Sequence, residues 1–418
     1  NPVVDVVSYV SIYHDAVRSA ESSSARDAPA WRIHEILEQD VKLGHMPLVA
    51  HSKLPTFGQL REQGHEVLSL DRAVHQDIRE LHIGFLNMMP DAALRATERQ
   101  FIRLVGSCNR IAQFFVYPFS LPDLQRSDET LGYIERYYSD FDALRGEGLD
   151  ALIITGANVA NPKLEEEAFW EPLIEVVEWA SDNVASILCS CLATHALLKH
   201  VHGIDRQPLP QKRWGVYSHR VSEPGHPLLR DINTRFDVPH SRHNDISRAQ
   251  LEAAGLVVLA ESPEGGVHMA ASPDQFRVIY MQGHPEYDAN SLLKEYRREL
   301  YRYANRERDT APPLPENYFS GDAVRLALDA LEAAKHAREA GSTYDDTLEA
   351  DVVGLLDNTW GDTAKAMVNN WLGLVYQLTN LDRKKQFMDD VDPADPLRLA
   401  RVFPISGNRR AARKIAVL

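Results

Sequence analysis

Cysteine is scarce in this chain: Cys108, Cys189 and Cys191 are the three among 418 residues. So few thiols cannot form a disulfide framework, and a reducing, cytoplasmic location is the expectation. They are also too few for a paired-cysteine metal site, so each is either inert core or a reactive thiol, and no metal is expected. Long apolar runs are missing as well. The longest, at 151–155 and 185–190, fall far short of the roughly 20 residues a membrane helix needs, so no membrane partner is expected. Basic charge is in deficit, with 45 Lys and Arg against 60 Asp and Glu and a formal net charge of −15. That excludes a nucleic-acid-binding surface as the main role, while a local cationic cluster could still hold a small anion. The N-terminus carries Asp5, Asp15 and Glu21 among its apolar residues, unlike a signal peptide; it begins at Asn1, and Met46 offers an alternative start.

What is present is the composition of a globular protein, 44% hydrophobic and 25% charged. From residue 81 onward, short apolar runs at 81–87, 112–118, 151–156, 185–190 and 278–282 read as buried strands. Helical patterns near 95–106, 167–182 and 192–200 lie between them. This alternation predicts an α/β fold, a mostly parallel sheet sandwiched by helices. Beyond 293 the pattern is helical, broken by Pro312, Pro313 and Pro315 and resumed at 322–340 and 362–378. The expected organisation is an N-terminal extension at 1–45, with a short helical pattern around 31–41, and an α/β domain at 46–305. A helical part at 306–395 packs on that domain, and a solvated basic tail at 396–418 carries Arg401, Arg409, Arg410, Arg413 and Lys414.

Two segments carry chemistry. Ser186-Ile-Leu-Cys-Ser-Cys-Leu-Ala-Thr-His-Ala runs from a strand into a helix with small residues at the junction, as a nucleophile elbow requires. Cys191 would stand at the helix N-terminus, where exposed N–H groups and the helix dipole favour negative charge. A strand-end cysteine is more often a small buried hydrophobe, and taken alone this one would be too. The second segment is an apolar strand ending in Gly283-His284-Pro285-Glu286. His284 and Glu286 bracket a proline that restricts the backbone between them, so a carboxylate can hold one imidazole nitrogen while the other faces a thiol. Strand C-termini are where open α/β sheets build their sites. The pair of segments together makes Cys191, His284 and Glu286 a candidate catalytic triad.

Many ordered segments resemble the MetA-type homoserine O-acyltransferases. They are Leu54-Pro55 with Leu60-Arg61-Glu62; Ile83-Gly84-Phe85-Leu86-Asn87-Met88-Met89-Pro90 with Thr97-Glu98; and Thr155-Gly156-Ala157 with Trp170. Gly215-Val216-Tyr217, Pro239-His240-Ser241-Arg242, Gly283-His284-Pro285-Glu286-Tyr287-Asp288, and Asn370-Trp371 with Tyr376-Gln377 also match. The resemblance covers about 50–305 and 358–388 and implies a class I glutamine amidotransferase-like fold in a homodimer. It also implies a two-step reaction. Cys191 takes an acyl group from acyl-CoA, a co-substrate rather than a bound cofactor, and the hydroxyl of L-homoserine then displaces it, as in methionine biosynthesis. His284 acts as base and Glu286 orients it. The oxyanion hole maps to the backbone of Leu192 and the turn at Gly156 and Ala157. Acceptor binding maps to Arg298 and Arg242, whose guanidinium groups suit an α-carboxylate. Ala160, where acetyl-transferring relatives have glutamate, points to succinyl-CoA as donor, with Lys163 able to pair with the succinyl tail.

The resemblance has gaps. Where the family has lysine after Met-Pro, this chain has Asp91-Ala92-Ala93-Leu94, with Arg95 the nearby cation; His243 replaces a tyrosine; and His195 replaces a glutamine, as a packed helix residue. Three readings therefore stand beside homoserine: acyl transfer to serine or another hydroxy-amino acid, a hydrolase or amidotransferase on the same fold, and a non-catalytic interaction protein.

Overall fold

The computed structural model describes residues 48–108, 112–159 and 161–399. The extension at 1–45 with its helical pattern, Ala160 and the basic residues of the tail lie outside the described residues.

The elements run β1 (Val49–Ala50), α1 (Pro55–Glu62), β2 (Leu68–Ser69), α2 (Leu70–Ala73), β3 (Glu80–Leu86), α3 (Asp91–Gly106) and β4 (Gln113–Phe119). Then come α4 (Asp128–Tyr137), α5 (Phe141–Glu147), β5 (Ala151–Ile154), α6 (Trp170–Asn183), β6 (Ser186–Ser190), α7 (Leu192–His202), β7 (Gln207–Val221) and β8 (Arg235–Asp245). The chain continues through α8 (Arg248–Ala253), β9 (Val257–Ser262), β10 (Gly266–Ala271), β11 (Val278–Met281), α9 (Ser291–Ala304), α10 (Gly321–Ala340), α11 (Leu348–Val352) and α12 (Gly361–Leu378). Local chemistry sets several starts. Ser127 and Asp140 accept from the backbone N–H three residues on and open α4 and α5, and Ser247 with Gln250 forms a reciprocal cap on α8.

One nine-stranded sheet has the order β4-β3-β5-β6-β11-β10-β9-β7-β8. The half from β4 to β11 is parallel, and the half from β10 to β8 is antiparallel. The five strands expected from apolar runs are the parallel five, because strands covered on both faces read as continuous apolar sequence. The antiparallel strands gave no such signal. Their inward positions include His219, His240, Arg242 and His268, all buried polar residues that break the apolar alternation.

Side chains alternate across the parallel half. Ile153, Leu188 and Ile279 join one core layer with α1, α3 and α12, through Phe57, Phe101, Met367 and Trp371. Leu152, Ile187 and Tyr280 join the opposite layer with α6, α7 and α8, through Leu173, Leu197 and Leu251. A third cluster puts the alanine stripe of α10 (Ala323, Ala327, Ala334) against Leu292 and Tyr296 of α9 and Trp214 of β7. It holds the helix that follows the His284 loop against the antiparallel half.

Burial has an electrostatic cost in the antiparallel half. His219 is pushed down to about 4 by desolvation, and His240 and His268 lie well below the ordinary histidine value for the same reason. His195, His202 and His226 are also pushed to about 4 by burial. The unfolded chain binds protons at these residues as pH falls below about 6.5 while the folded chain resists, so acid favours unfolding through that window. Each such histidine removes up to about 1.4 kcal/mol of stability per pH unit below 6.5. Thermal melts between pH 7 and 4 should show Tm falling steeply from 6.5 downward. His268→Phe should flatten that slope, and an unchanged slope would show that His268 is not kept neutral by the fold.

Candidate active site

β6 and β11 are adjacent and parallel, with Ser190 opposite Met281 in register, so their C-terminal ends lie side by side. The Cys191 N–H donates to Met281 O at 2.8 Å, tying the residue after β6 to the end of β11. Cys191 then turns sharply into α7 with φ 53° and ψ −112°, a conformation that side-chain-bearing residues rarely adopt. Strain of this kind is characteristic of a nucleophile elbow, which lifts the thiol out of the sheet and points the first N–H groups of the helix toward it. Cys191 is partly exposed, whereas Cys189 and Cys108 are buried and burial pushes both thiols upward. They are core residues.

His284 sits beyond β11, and three contacts determine its position. Its backbone N–H donates to Pro239 O at 2.8 Å, its ring stacks on Tyr287 with centroids 4.4 Å apart, and its Nδ1 meets Glu286 Oε1 at 2.8 Å. Burial would lower the imidazole pKa, but hydrogen bonding and charge from Cys191 and Glu286 outweigh it, holding His284 well above the ordinary histidine value. The imidazole and carboxylate therefore form a buried hydrogen-bonded pair, with the partly exposed Cys191 thiol close enough to act on the imidazole. Gly156 faces this elbow: a β-carbon there would sit 3.5 Å from Cys191 Cβ and 3.7 Å from the Leu192 nitrogen. The turn at Gly156 and Ala157 thus borders the same space as the Leu192 N–H.

The loop is fastened from behind. Asp288 pairs with Arg99 at 3.1 Å and with Arg103, both on α3, and the Gln100 amide donates to it at 3.3 Å. Arg103 also donates to Glu286 O at 3.2 Å. On the other side Gly283 lies against β8: a β-carbon on it would stand 2.6 Å from Val238 Cγ1 and 2.8 Å from His240 Cε1. Only glycine fits that approach.

The expected binding residues fall in different settings. Arg242 is buried, its guanidinium donating to Asp245 at 2.7 Å, Gly265 O at 2.9 Å and Asn244 O at 3.2 Å, with His240 Nδ1 also in contact. Its donors are thus engaged inside the protein. Arg298 is exposed on α9 and lies 3.5 Å from Glu299. Lys163 is 74% exposed in its side chain and 3.4 Å from Glu166. His195 is buried, with Nε2 at 3.0 Å from Gln282 Oε1, as expected of a packed helix residue. Arg95 points outward to Glu129 and stacks over Tyr133. The cation beside Met89 is instead Arg126, which donates to Met89 O and lies 3.5 Å from Asp91.

A further cluster went unseen in the sequence. Glu295 on α9 accepts from Ser241 Oγ at 2.7 Å, Lys212 Nζ at 3.0 Å and Tyr287 OH at 2.8 Å. Burial raises a carboxyl pKa, but Lys212 and these donors outweigh it and hold Glu295 below the usual value. Through the Tyr287 ring this cluster touches His284. Its members come from β7, β8, α9 and the loop after β11, so no short-range spacing could have announced it.

A sequence model of the homoserine O-succinyltransferase family matches residues 47–381. A homoserine O-succinyltransferase from Methylococcus capsulatus is 61% identical over 355 residues, 85% of this chain and 100% of the relative. One from Nitrosococcus oceani is 59% identical over 356 residues, 85% of this chain and 99% of the relative. Among solved structures, a glutamine amidotransferase from Thermotoga maritima aligns at 12% identity, covering 71% of this chain and 97% of that chain, with a TM-score of 0.37.

Gly283→Ala should push the loop away from Val238 and His240. Overpacking of this kind costs about 1–3 kcal/mol. The expected result is a folded protein with lowered Tm and slower alkylation of Cys191 by iodoacetamide, read by mass spectrometry. Unchanged alkylation would mean that the glycine does not position His284.

Proposed function

The chain belongs to the homoserine O-succinyltransferase family, and from that premise we propose that it is an acyltransferase moving a succinyl group from succinyl-CoA to L-homoserine through a thioester on Cys191. The observation that carries this reading is the His284–Glu286 hydrogen bond at the end of β11, beside the strained Cys191 turn at the end of the adjacent β6.

In the first step the Cys191 sulfur attacks the thioester carbonyl. His284 takes the thiol proton and returns it to the departing CoA sulfur, so free CoA leaves as a thiol and the succinyl group stays on Cys191. Glu286 holds the imidazole by Nδ1, keeping Nε2 for proton transfer. The developing oxyanion falls within reach of the Leu192 and Ala157 N–H groups, where the start of α7 adds a favourable dipole. In the second step His284 removes the proton of the acceptor hydroxyl, the oxygen attacks the enzyme thioester, and the Cys191 sulfur leaves and is reprotonated by His284. The ester product departs and the enzyme is restored.

The Glu295 cluster suits an amino-acid acceptor. Its carboxylate can receive an α-ammonium, and Lys212, with Arg298 one turn further along α9, offers cations for an α-carboxylate. Glu295 and Lys212 lie on the Tyr287 side of His284, where the acceptor hydroxyl would arrive.

Incubation with succinyl-CoA should add one succinyl mass to the intact protein, and Cys191→Ser should abolish it. Absence of the adduct under single-turnover conditions without acceptor would overturn the reading. Glu286→Gln should lower kcat by at least about 10²-fold with little change in KM, since a wrongly held imidazole slows chemistry rather than binding.

A further inference from the structure

A single residue joins β6 to α7, and it is the proposed nucleophile. β6 ends at Ser190, α7 begins at Leu192, and Cys191 makes the turn between them. A backbone in so sparsely populated a region persists only where its surroundings over-determine it. Cys191 occupies the N-cap position of α7, yet its side chain makes no capping bond. The hold comes from elsewhere. Thr194, buried in the first turn of α7, donates its hydroxyl to Met281 O at 2.8 Å and to Cys189 O at 3.1 Å. A hydroxyl has one proton, so the two carbonyls share it, with Met281 O the nearer.

The placement of these acceptors is specific. Threonine in a helix ordinarily turns its hydroxyl to a carbonyl three or four residues back. Here those residues are Cys191 and Ser190, and the hydroxyl reaches past them to two strand ends. Cys189 precedes the turn, so the bond to its carbonyl closes a loop across Cys191. Met281 is the last residue of β11 and also accepts from the Cys191 N–H at 2.8 Å. One carbonyl thus receives donors from the strained residue and from the helix turn that follows it. Met281 stands three residues before His284, as Thr194 stands three after Cys191.

The next residue repeats the connection. His195 Nε2 lies 3.0 Å from Gln282 Oε1, which also accepts from the Ile246 N–H at 2.9 Å. The Gln282 amide donates to Ile246 O and Val267 O, both at 3.0 Å, so that side chain is itself immobile. Consecutive residues of α7 therefore bind consecutive residues at the end of β11, and the element with the thiol is bolted to the one leading to the imidazole.

We propose that Thr194 is a positioning residue for the acyl transfer, its hydroxyl holding the Cys191 turn and so the separation between the thiol and the His284 ring. The inference rests on the nucleophile and base roles proposed above and deepens them.

Thr194→Val keeps the shape and removes the hydroxyl, whereas Thr194→Ser keeps the hydroxyl. Two rates are read by mass spectrometry, per folded molecule as counted by circular dichroism. One is alkylation of Cys191 by iodoacetamide, which needs no donor; the other is single-turnover succinylation of Cys191 by succinyl-CoA. Thr194→Val should slow both about tenfold, the scale of one net hydrogen bond. In steady state kcat should fall with KM unchanged, and Thr194→Ser should recover most of the loss. Rates equal to those of the unaltered protein, whatever the Tm, would overturn the assignment. So would a loss that serine does not restore, or slowed succinylation with unchanged alkylation. Should Thr194→Val not fold, Thr194→Ser and Thr194→Ala differ only by the hydroxyl, and equal rates for those two overturn the assignment. An unaltered protein that takes up no succinyl group would instead overturn the thioester, while the alkylation rates still decide the role of Thr194.

Discussion

The pairing of β6 with β11 is the constraint on which the rest depends. Two strands separated by almost 90 residues lie parallel and in register, and the Cys191 N–H closes onto Met281 O as the ladder ends. That register sets the thiol beside the His284 loop. A slip of one residue would turn the inner side chains of β11 to the opposite core layer and carry the loop away from the elbow. The apolar alternation of Ile187, Leu188, Val278 and Ile279 between two separately packed layers opposes such a slip.

Around that pairing the molecule concentrates strain and immobility. Cys191 keeps a backbone conformation unfavourable for a side-chain-bearing residue, and the start of α7 helps hold it there. The His284 loop is gripped from three directions: by α3 through Asp288, by β8 through Pro239 and the Gly283 contact, and by α9 through Tyr287 and Glu295. Such immobilisation suits the role of base proposed for His284, which needs reach to both the thiol and an incoming hydroxyl. The antiparallel half of the sheet supplies much of this support, which accounts for its buried histidines and arginine at positions that would otherwise be apolar.

The two sides of the elbow differ in chemistry. Toward α9 lies a mixed-charge cluster of Glu295, Lys212, Ser241 and Tyr287, suited to a zwitterion. Along α7 lies a cavity lined by Lys199, Arg206, Glu165 and Asp205, in which Lys199 pairs with both carboxylates.

How much was visible beforehand follows from the range of each signal. The five parallel strands, the helices after them, and the two strand ends that carry Cys191 and His284 were legible, because apolar runs, a small-residue junction and a Gly-His-Pro-Glu strand end are all local patterns. The antiparallel strands were not, since His219, His240 and His268 mask their alternation. Nor was the fate of the arginines. Arg242, Arg126 and Arg298 look alike in a string of letters, and only the partners that the fold brings to each distinguish a buried structural clamp from an exposed side chain. Sequence by itself determined the layering of the fold and which residues stand at two strand ends, because hydrophobic periodicity and local turns are encoded by neighbouring residues. Tertiary structure alone decided which charges remain free to meet a substrate, because that depends on partners brought together from remote parts of the chain.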